Sequence, residues 1–355
     1  MITVSNERIE ELISGVVFQQ MGCKDEKIVI VFDADSELSQ KIHQAHRKVT
    51  PNAEFIKYEK DNNQEIRDHL MSLPEGSSVF LIQSVSFRIE DFRIRLSLFH
   101  KGIGCLEYSH LAWYKEEEAN TFLEALEYQG EEFHRLATAI DEQFKNSDTI
   151  KVYSGENGKS VLDFGQLEDG KINDGRFYTQ KNRGGSVVCG EIFSEAKDLR
   201  GVNGSLTINC IPNERFLIQK CDPFTITIEK GCITAWTENA PELFIESIVN
   251  RVKESECDEE GNPECMIREF GFGLNPKFSL EKPLSFVSVF ERNVGFHISV
   301  GKKHQVYRKK MHKDIIQRYH IDIFSQLFKI TSETKNEETG EIHETLIFSD
   351  GKHQL

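Results

Sequence analysis

IVIVFDADSELSQKIHQAHRK, residues 28–48, decides the first part of the fold. The apolar run from Ile28 to Phe32 reads as a strand buried on both faces, as at the centre of a parallel sheet. DADS then offers caps in Asp35 and Ser36, and ELSQKIHQAHRK follows with helical spacing. The strand signal recurs at VFLIQSV (79–85) after the turn residues PEGSS, and ANTFLEALEYQGEEFHRLATAIDEQF (119–144) is again helical, with one tolerated glycine at 130. Strands alternating with helices predict a parallel α/β sheet. A DxD pair after a parallel strand also suits a phosphatase, but capping explains FDADS more simply. GENGK lacks the spacing of a phosphate-binding loop.

After KNSDT the texture changes to short strands and glycine turns. TIKVYS, GSLTINC and FTITIEKGCITAWT come first, the last with a KG pair expected to turn a hairpin. APELFIESIVNRVKES (240–255) is expected as a helix capped by Asn239, with Pro241 near its first turn. Strands are expected again at MIREFGFG, LSFVSVFE, GFHISVG, LFKITSE and ETLIFS. The boundary falls near 146. The expected fold is α/β: an N-terminal parallel α/β domain over 1–146, then a β-rich α+β domain over 147–355.

With 355 residues, 38% hydrophobic content and 25 Phe, the chain is globular rather than disordered. No apolar run approaches the roughly 20 residues that span a bilayer. MITVSNERIEELISG has neither the basic start nor the apolar middle of a secretory signal, so a cytoplasmic protein without membrane partners is expected. The eight cysteines contain no CxxC pair and read as reduced thiols, not as a zinc-thiolate site. A net charge of −15 repels phosphate backbones and argues against nucleic acid. Only GKKHQVYRKKMHK (301–313) runs against that sign.

The chemistry concentrates in a few positions. In RYHIDIF, Ile321 and Ile323 alternate with His320 and Asp322, a strand period that projects His320 and Asp322 from one face. In a helix, residues two apart lie about 200° round the axis and would not share an ion. His312 with Asp314 forms a second HxD pair, in a more polar context. His297 lies in the strand pattern GFHISVG. Glu191 in VVCGEIF and Glu269 in IREFGFGLNP each sit inside an apolar or glycine-rich run, where a glutamate needs a partner charge or a metal.

These motifs, in this order, resemble the metallo-aminopeptidases of the aminopeptidase T type. CGEIFSEAKDLRGVNGSLTI (189–208) is similar to the family's GE-containing segment, and REFGFGLNP (268–276) to its second glutamate motif. GFHISVG (295–301) and YHIDIF (319–324) follow at similar spacing, and TIKVYSGENGKSVLDFG (149–165) extends the resemblance over most of 145–330. Carried over by residue, the family's metal ligands fall on Glu191, Glu269, His297, His320 and Asp322. Between His297 and His320 the family has a glycine-rich connection that supplies a tyrosine. This chain has KKHQVYRKKMHKDIIQR there, and the tyrosine falls on Tyr307, offset in spacing.

The resemblance implies a cytoplasmic homodimeric hydrolase holding two divalent ions (Zn, Co or Mn), which removes N-terminal residues from peptides through a metal-bridged water. Glu191 or Glu269 would be general base, and Tyr307 a donor to the tetrahedral oxyanion. The basic run suits an acidic peptide or carboxylate substrate, or is a solvated loop. Two alternatives keep the fold. One is a ring-cleaving dioxygenase with a single Fe(II), which the presence of both glutamates disfavours. The other is a non-catalytic relative that binds a peptide or protein through the same cleft.

Overall fold

The computed structural model of the protein describes residues 1–86, 89, 94–258, 260–301 and 319–355. Tyr307, His312, Asp314 and nearly all of the basic run lie outside the described residues. The chain divides into two compact units. The first comprises Met1–Phe133, Asn173–Gly190 and Lys277–Val289; the second comprises His134–Ile172, Glu191–Pro276 and Phe290–Leu355.

The first unit is built on β1 (Ile28–Phe32), helix α1 (Glu37–Val49), β2 (Glu54–Lys57), β3 (Ser78–Ile82), β4 (Gly104–Tyr108) and β5 (Gly184–Ser186). The five strands are parallel, in the order β2-β1-β3-β4-β5. Val29, Val31, Val79 and Leu81 pack with Ile66, Leu70 and Leu98 into one buried cluster. Each such side chain contributes about 1.5–3 kcal/mol on full burial. Ser36 caps α1, its Oγ accepting the Ser39 N–H at 3.2 Å while Ser39 Oγ accepts the Ser36 N–H at 3.2 Å. β5 has the sequence GGS, so no apolar run announces it; main-chain pairing with β4 brings it to the sheet, and the preceding Arg183 donates to Glu26 and Ser78 beside it.

The second unit carries a large antiparallel sheet. Its central strands are β6 (Glu191–Ser194), β7 (Asn203–Pro212), β8 (Ile267–Gly273), β9 (Gly295–Gly301) and β10 (His320–Ser325), in the order β7-β10-β9-β8-β6. Ile218–Glu229 and Cys232–Trp236 form the expected hairpin, with Lys230 at φ 50° and Gly231 at φ 75° in its turn. A parallel α/β sheet and a β-rich antiparallel sheet are thus the α/β architecture read from the sequence. No helix among the described residues is long and apolar enough to cross a membrane.

Three local expectations change. The long helix expected over 119–144 is two, Glu117–Glu124 and Gly130–Asn146, because glycine costs about 1 kcal/mol inside a helix and fits better at an end. LSFVSVFE contains a short helix, Val287–Phe290, instead of a strand. Brief apolar runs satisfy either period once buried. The helix after residue 240 is capped by Pro241, not Asn239, whose Nδ2 donates to the Pro223 carbonyl at 2.9 Å.

Candidate metal centre

Strand register brings the functional side chains to one face. Glu269 on β8 stands opposite Ser299 on β9, and Ser299 stands opposite Asp322 on β10. One step along, Gly271 is opposite His297, and beyond it Gly273 is opposite Glu191 on β6. His320 pairs with Gly301, completing the row on β10. Side chains alternate across a strand, so residues two apart share a side. Glu269, Gly271 and Gly273 therefore line one face of β8, and the glycines leave it open. A Cβ on Gly271 would lie 2.0 Å from His297 Nε2, so only glycine lets that imidazole lie across the strand.

Glu191, Glu269, His297 and Asp322 are buried, and His320 keeps 34% side-chain exposure. Glu269 divides its oxygens. Oε1 is 3.3 Å from His297 Nε2, while Oε2 is 3.7 Å from His320 Nε2 and accepts from Ser299 Oγ at 3.5 Å. Glu191 Oε1 is 3.6 Å from His297 Nε2, and Asp322 Oδ1 is 3.2 Å from His320 Nε2. Three overlapping groups, Glu191–Glu269–His297, Glu269–His320–Asp322 and Glu291–His297–Asp322, each offer ligand atoms within 4.8 Å of one another.

The electrostatics suit a divalent cation. Burial raises the Glu191 carboxyl pKa, the charge of Glu291 raises it further, and Arg292 and His297 offset only part of this. Burial likewise raises that of Glu291, against the pull of Arg292. Burial would lower the pKa of His320, but Asp322, Glu269 and Glu291 outweigh it and lift it to about 10. At His297 burial also opposes a net rise, driven by the Glu269 hydrogen bond and by the charges of Glu269, Asp322 and Glu191. Carboxylates and imidazoles that lean on each other in this way are the donor set of divalent-ion sites, and an ion would remove the desolvation penalty they carry.

Two supports hold the geometry. The register of β8 against β9 shifts between Ile267 and Glu269, which makes Arg268 the extra residue of a β-bulge. Arg268 is fully buried, donates from Nε to the Gly301 carbonyl at 3.1 Å, and pairs through Nη2 with the buried Glu256 carboxylate. The bulge sets Glu269 in the row with Ser299 and Asp322. The second support is the pair just before β9: Arg292 Nη1 lies 2.6 Å from Glu291 Oε1, and Arg292 Nη2 lies 3.9 Å from Glu191 Oε2.

Glu291 and Arg292 are absent from the sequence-based site. Their signal was a charged pair in FERNVGF, between an apolar run and the His297 strand, and the strand expected at LSFVSVFE concealed it. The five residues carried over as ligands are brought together. Tyr307 is outside the described residues.

No protein-family model matches this chain, and no curated protein sequence matches it. In structure it is similar to 2,5-dihydroxypyridine dioxygenase from Pseudomonas putida KT2440, at 13% identity and TM-score 0.63, over 99% of this chain and 98% of that one. It is also similar to wild-type AmpT from Thermus thermophilus, at 11% identity and TM-score 0.62, over 98% of this chain and 99% of that one. These likenesses show a shared fold. An oxygenase and an aminopeptidase stand at nearly equal distance, so the fold does not choose the reaction and the side chains must.

Proposed function

We propose that the protein is a metal-dependent aminopeptidase that removes N-terminal residues from peptides. The observation that carries this reading is the divided carboxylate of Glu269, one oxygen toward His297 and the other toward His320. With that arrangement Glu191, Glu269, His297, His320 and Asp322 would hold two divalent ions. Such ions would polarise a scissile carbonyl and make water a stronger nucleophile at neutral pH. The chain's own residues then orient and move protons. Glu191 or Glu269 would be the general base toward that water, as the family resemblance implies. Arg292 holds Glu291 in place. Tyr307 remains the proposed oxyanion donor on the family resemblance.

A mononuclear Fe(II) ring-cleaving dioxygenase is the second reading. It draws on the group Glu269–His320–Asp322, whose imidazole and two carboxylates would hold a single ion. One experiment separates the readings: metal content per freshly purified chain, then assay of the loaded protein on aminoacyl substrates, short peptides and aromatic diols. Peptide cleavage with zinc, cobalt or manganese supports the aminopeptidase. Silence across the peptide panel refutes it, and iron with oxygen-dependent diol cleavage establishes the second reading.

A further inference from the structure

Glu291 has no place in the ligand set that the family resemblance implies, yet the fold fixes it at the same centre. It follows Phe290, whose buried ring meets Phe324 edge-on at 4.9 Å, and Phe324 stands opposite His297. The turn closes where the Asn293 N–H donates to the Phe290 carbonyl at 2.9 Å, and the Arg292 carbonyl accepts the Asn275 N–H at 2.8 Å. The same turn lies directly on β8. A Cβ on Gly273 would come 1.8 Å from the Asn293 carbonyl oxygen, so only glycine permits that approach. Glu291 is thus placed by ring packing and main-chain bonds, with its side chain 15% exposed.

Glu291, His297 and Asp322 each offer one ligand atom, and the three lie within 4.8 Å of one another. Arg292 Nη1 donates to Glu291 Oε1 at 2.6 Å. A carboxylate has two oxygens and about four lone-pair sites, so it can hold a guanidinium and an ion together.

We propose that Glu291 is a further metal ligand of this chain, forming with His297 and Asp322 an oxygen-rich ion position that favours manganese relative to zinc. This rests on the cluster being a divalent-metal centre. The physical reason is donor number and type. Zinc is satisfied by about four donors, whereas manganese takes about six and suits carboxylate oxygen. Glu191 and Glu269 already stand 3.6 and 3.3 Å from His297 Nε2. A carboxylate added by Glu291 is a donor that zinc does not require and manganese uses. Zinc keeps the higher absolute affinity at a site of this kind, and Glu291 narrows the gap.

The test has two arms on the chelator-stripped full chain. The first is equilibrium dialysis against manganese alone and zinc alone, comparing wild type with Glu291→Gln. The variant should lose about 10- to 100-fold in manganese affinity and less than about threefold in zinc affinity. The second is visible spectroscopy of the cobalt-loaded chain, comparing wild type with Glu291→His. Its d–d band should move, because an imidazole nitrogen replaces a carboxylate oxygen on the ion. A residue that only positions Arg292 would leave that band where wild type has it, and this arm still decides if Glu291→Gln misfolds. Unchanged manganese affinity in folded Glu291→Gln overturns the proposal. So do equal losses of both metals, or an unmoved band in a Glu291→His chain that binds cobalt. If wild type binds none of the three metals, the reading as a metal centre fails and this proposal with it, an outcome distinct from metal binding that ignores Glu291.

Discussion

Asp33 in the first unit and Glu269 in the second are equally buried, at 4% exposure each, yet their oxygens meet opposite surroundings. Asp33 Oδ2 accepts the Ser84 N–H at 2.7 Å, and its Oδ1 accepts the Ser84 hydroxyl at 2.5 Å. Ser84 Oγ is in turn 3.0 Å from Ser36 Oγ and 2.8 Å from Ser39 Oγ. Donors surround that carboxylate, and the cluster ties β1, β3 and the cap of α1 together. Glu269 faces imidazoles that it shares with Glu191 and Asp322, so acceptors crowd its side of the sheet. Burial is common to both sites. The balance of donors and acceptors separates a structural carboxylate from one poised for a cation.

The comparison can be broken most sharply at Glu269. Glu269→Ala should cost at least about 100-fold in divalent-ion affinity, since even outer-shell losses reach that size, and should abolish any metal-dependent turnover. Equilibrium dialysis against zinc checks it, and unchanged binding would place the cation site elsewhere. Arg268→Met comes next, because it removes the guanidinium that pairs with the buried Glu256 carboxylate. A loss of about 3–5 kcal/mol is expected by urea unfolding, and Glu256→Leu with Arg268→Met should recover much of it. If the bulge positions Glu269, the stabilised double variant still binds metal more weakly than wild type.

Asp33→Asn tests the other half of the contrast. It should destabilise the protein by about 1–3 kcal/mol through mismatched buried hydrogen bonds, with metal affinity unchanged. Loss of metal binding there would show that the two carboxylates do not differ in role. The smallest effect comes from His46, buried with Nε2 3.0 Å from the Tyr108 hydroxyl. Burial pulls its pKa from 6.5 down to about 3. The folded state thus keeps the ring neutral while the unfolded chain takes up a proton below pH 6.5. The stabilisation is complete above the unfolded pKa and falls as pH drops toward 3. About 1 kcal/mol should be gone at pH 5.5 relative to pH 7.5, and His46→Gln should flatten that part of the profile.

Legibility followed the range of the interaction. IVIVF and VFLIQSV were readable as strands because burial on both faces leaves an unbroken apolar run. RYHIDIF was readable as a strand pairing His320 with Asp322 because alternation is a property of neighbouring residues. β5 was not readable, since GGS carries no side-chain pattern and its place depends on an edge of β4 far away in the chain. The helix at Val287–Phe290 was misread because so short an apolar run obeys both periods. Glu291 and Arg292 were hidden for the same reason.

By itself the sequence determined the α/β alternation, the strand-rich texture of the later part of the chain, and the residue types able to ligate an ion, because these rest on local periodicity and ordered motifs. Only the tertiary structure decided that Glu269, Ser299 and Asp322 stand in one row, that Arg268 bulges to hold it, and that Arg292 leans on Glu191 and Glu291. Register and bulges come from pairing between strands distant in sequence. One residue of slip would turn every one of those side chains to the other face of the sheet.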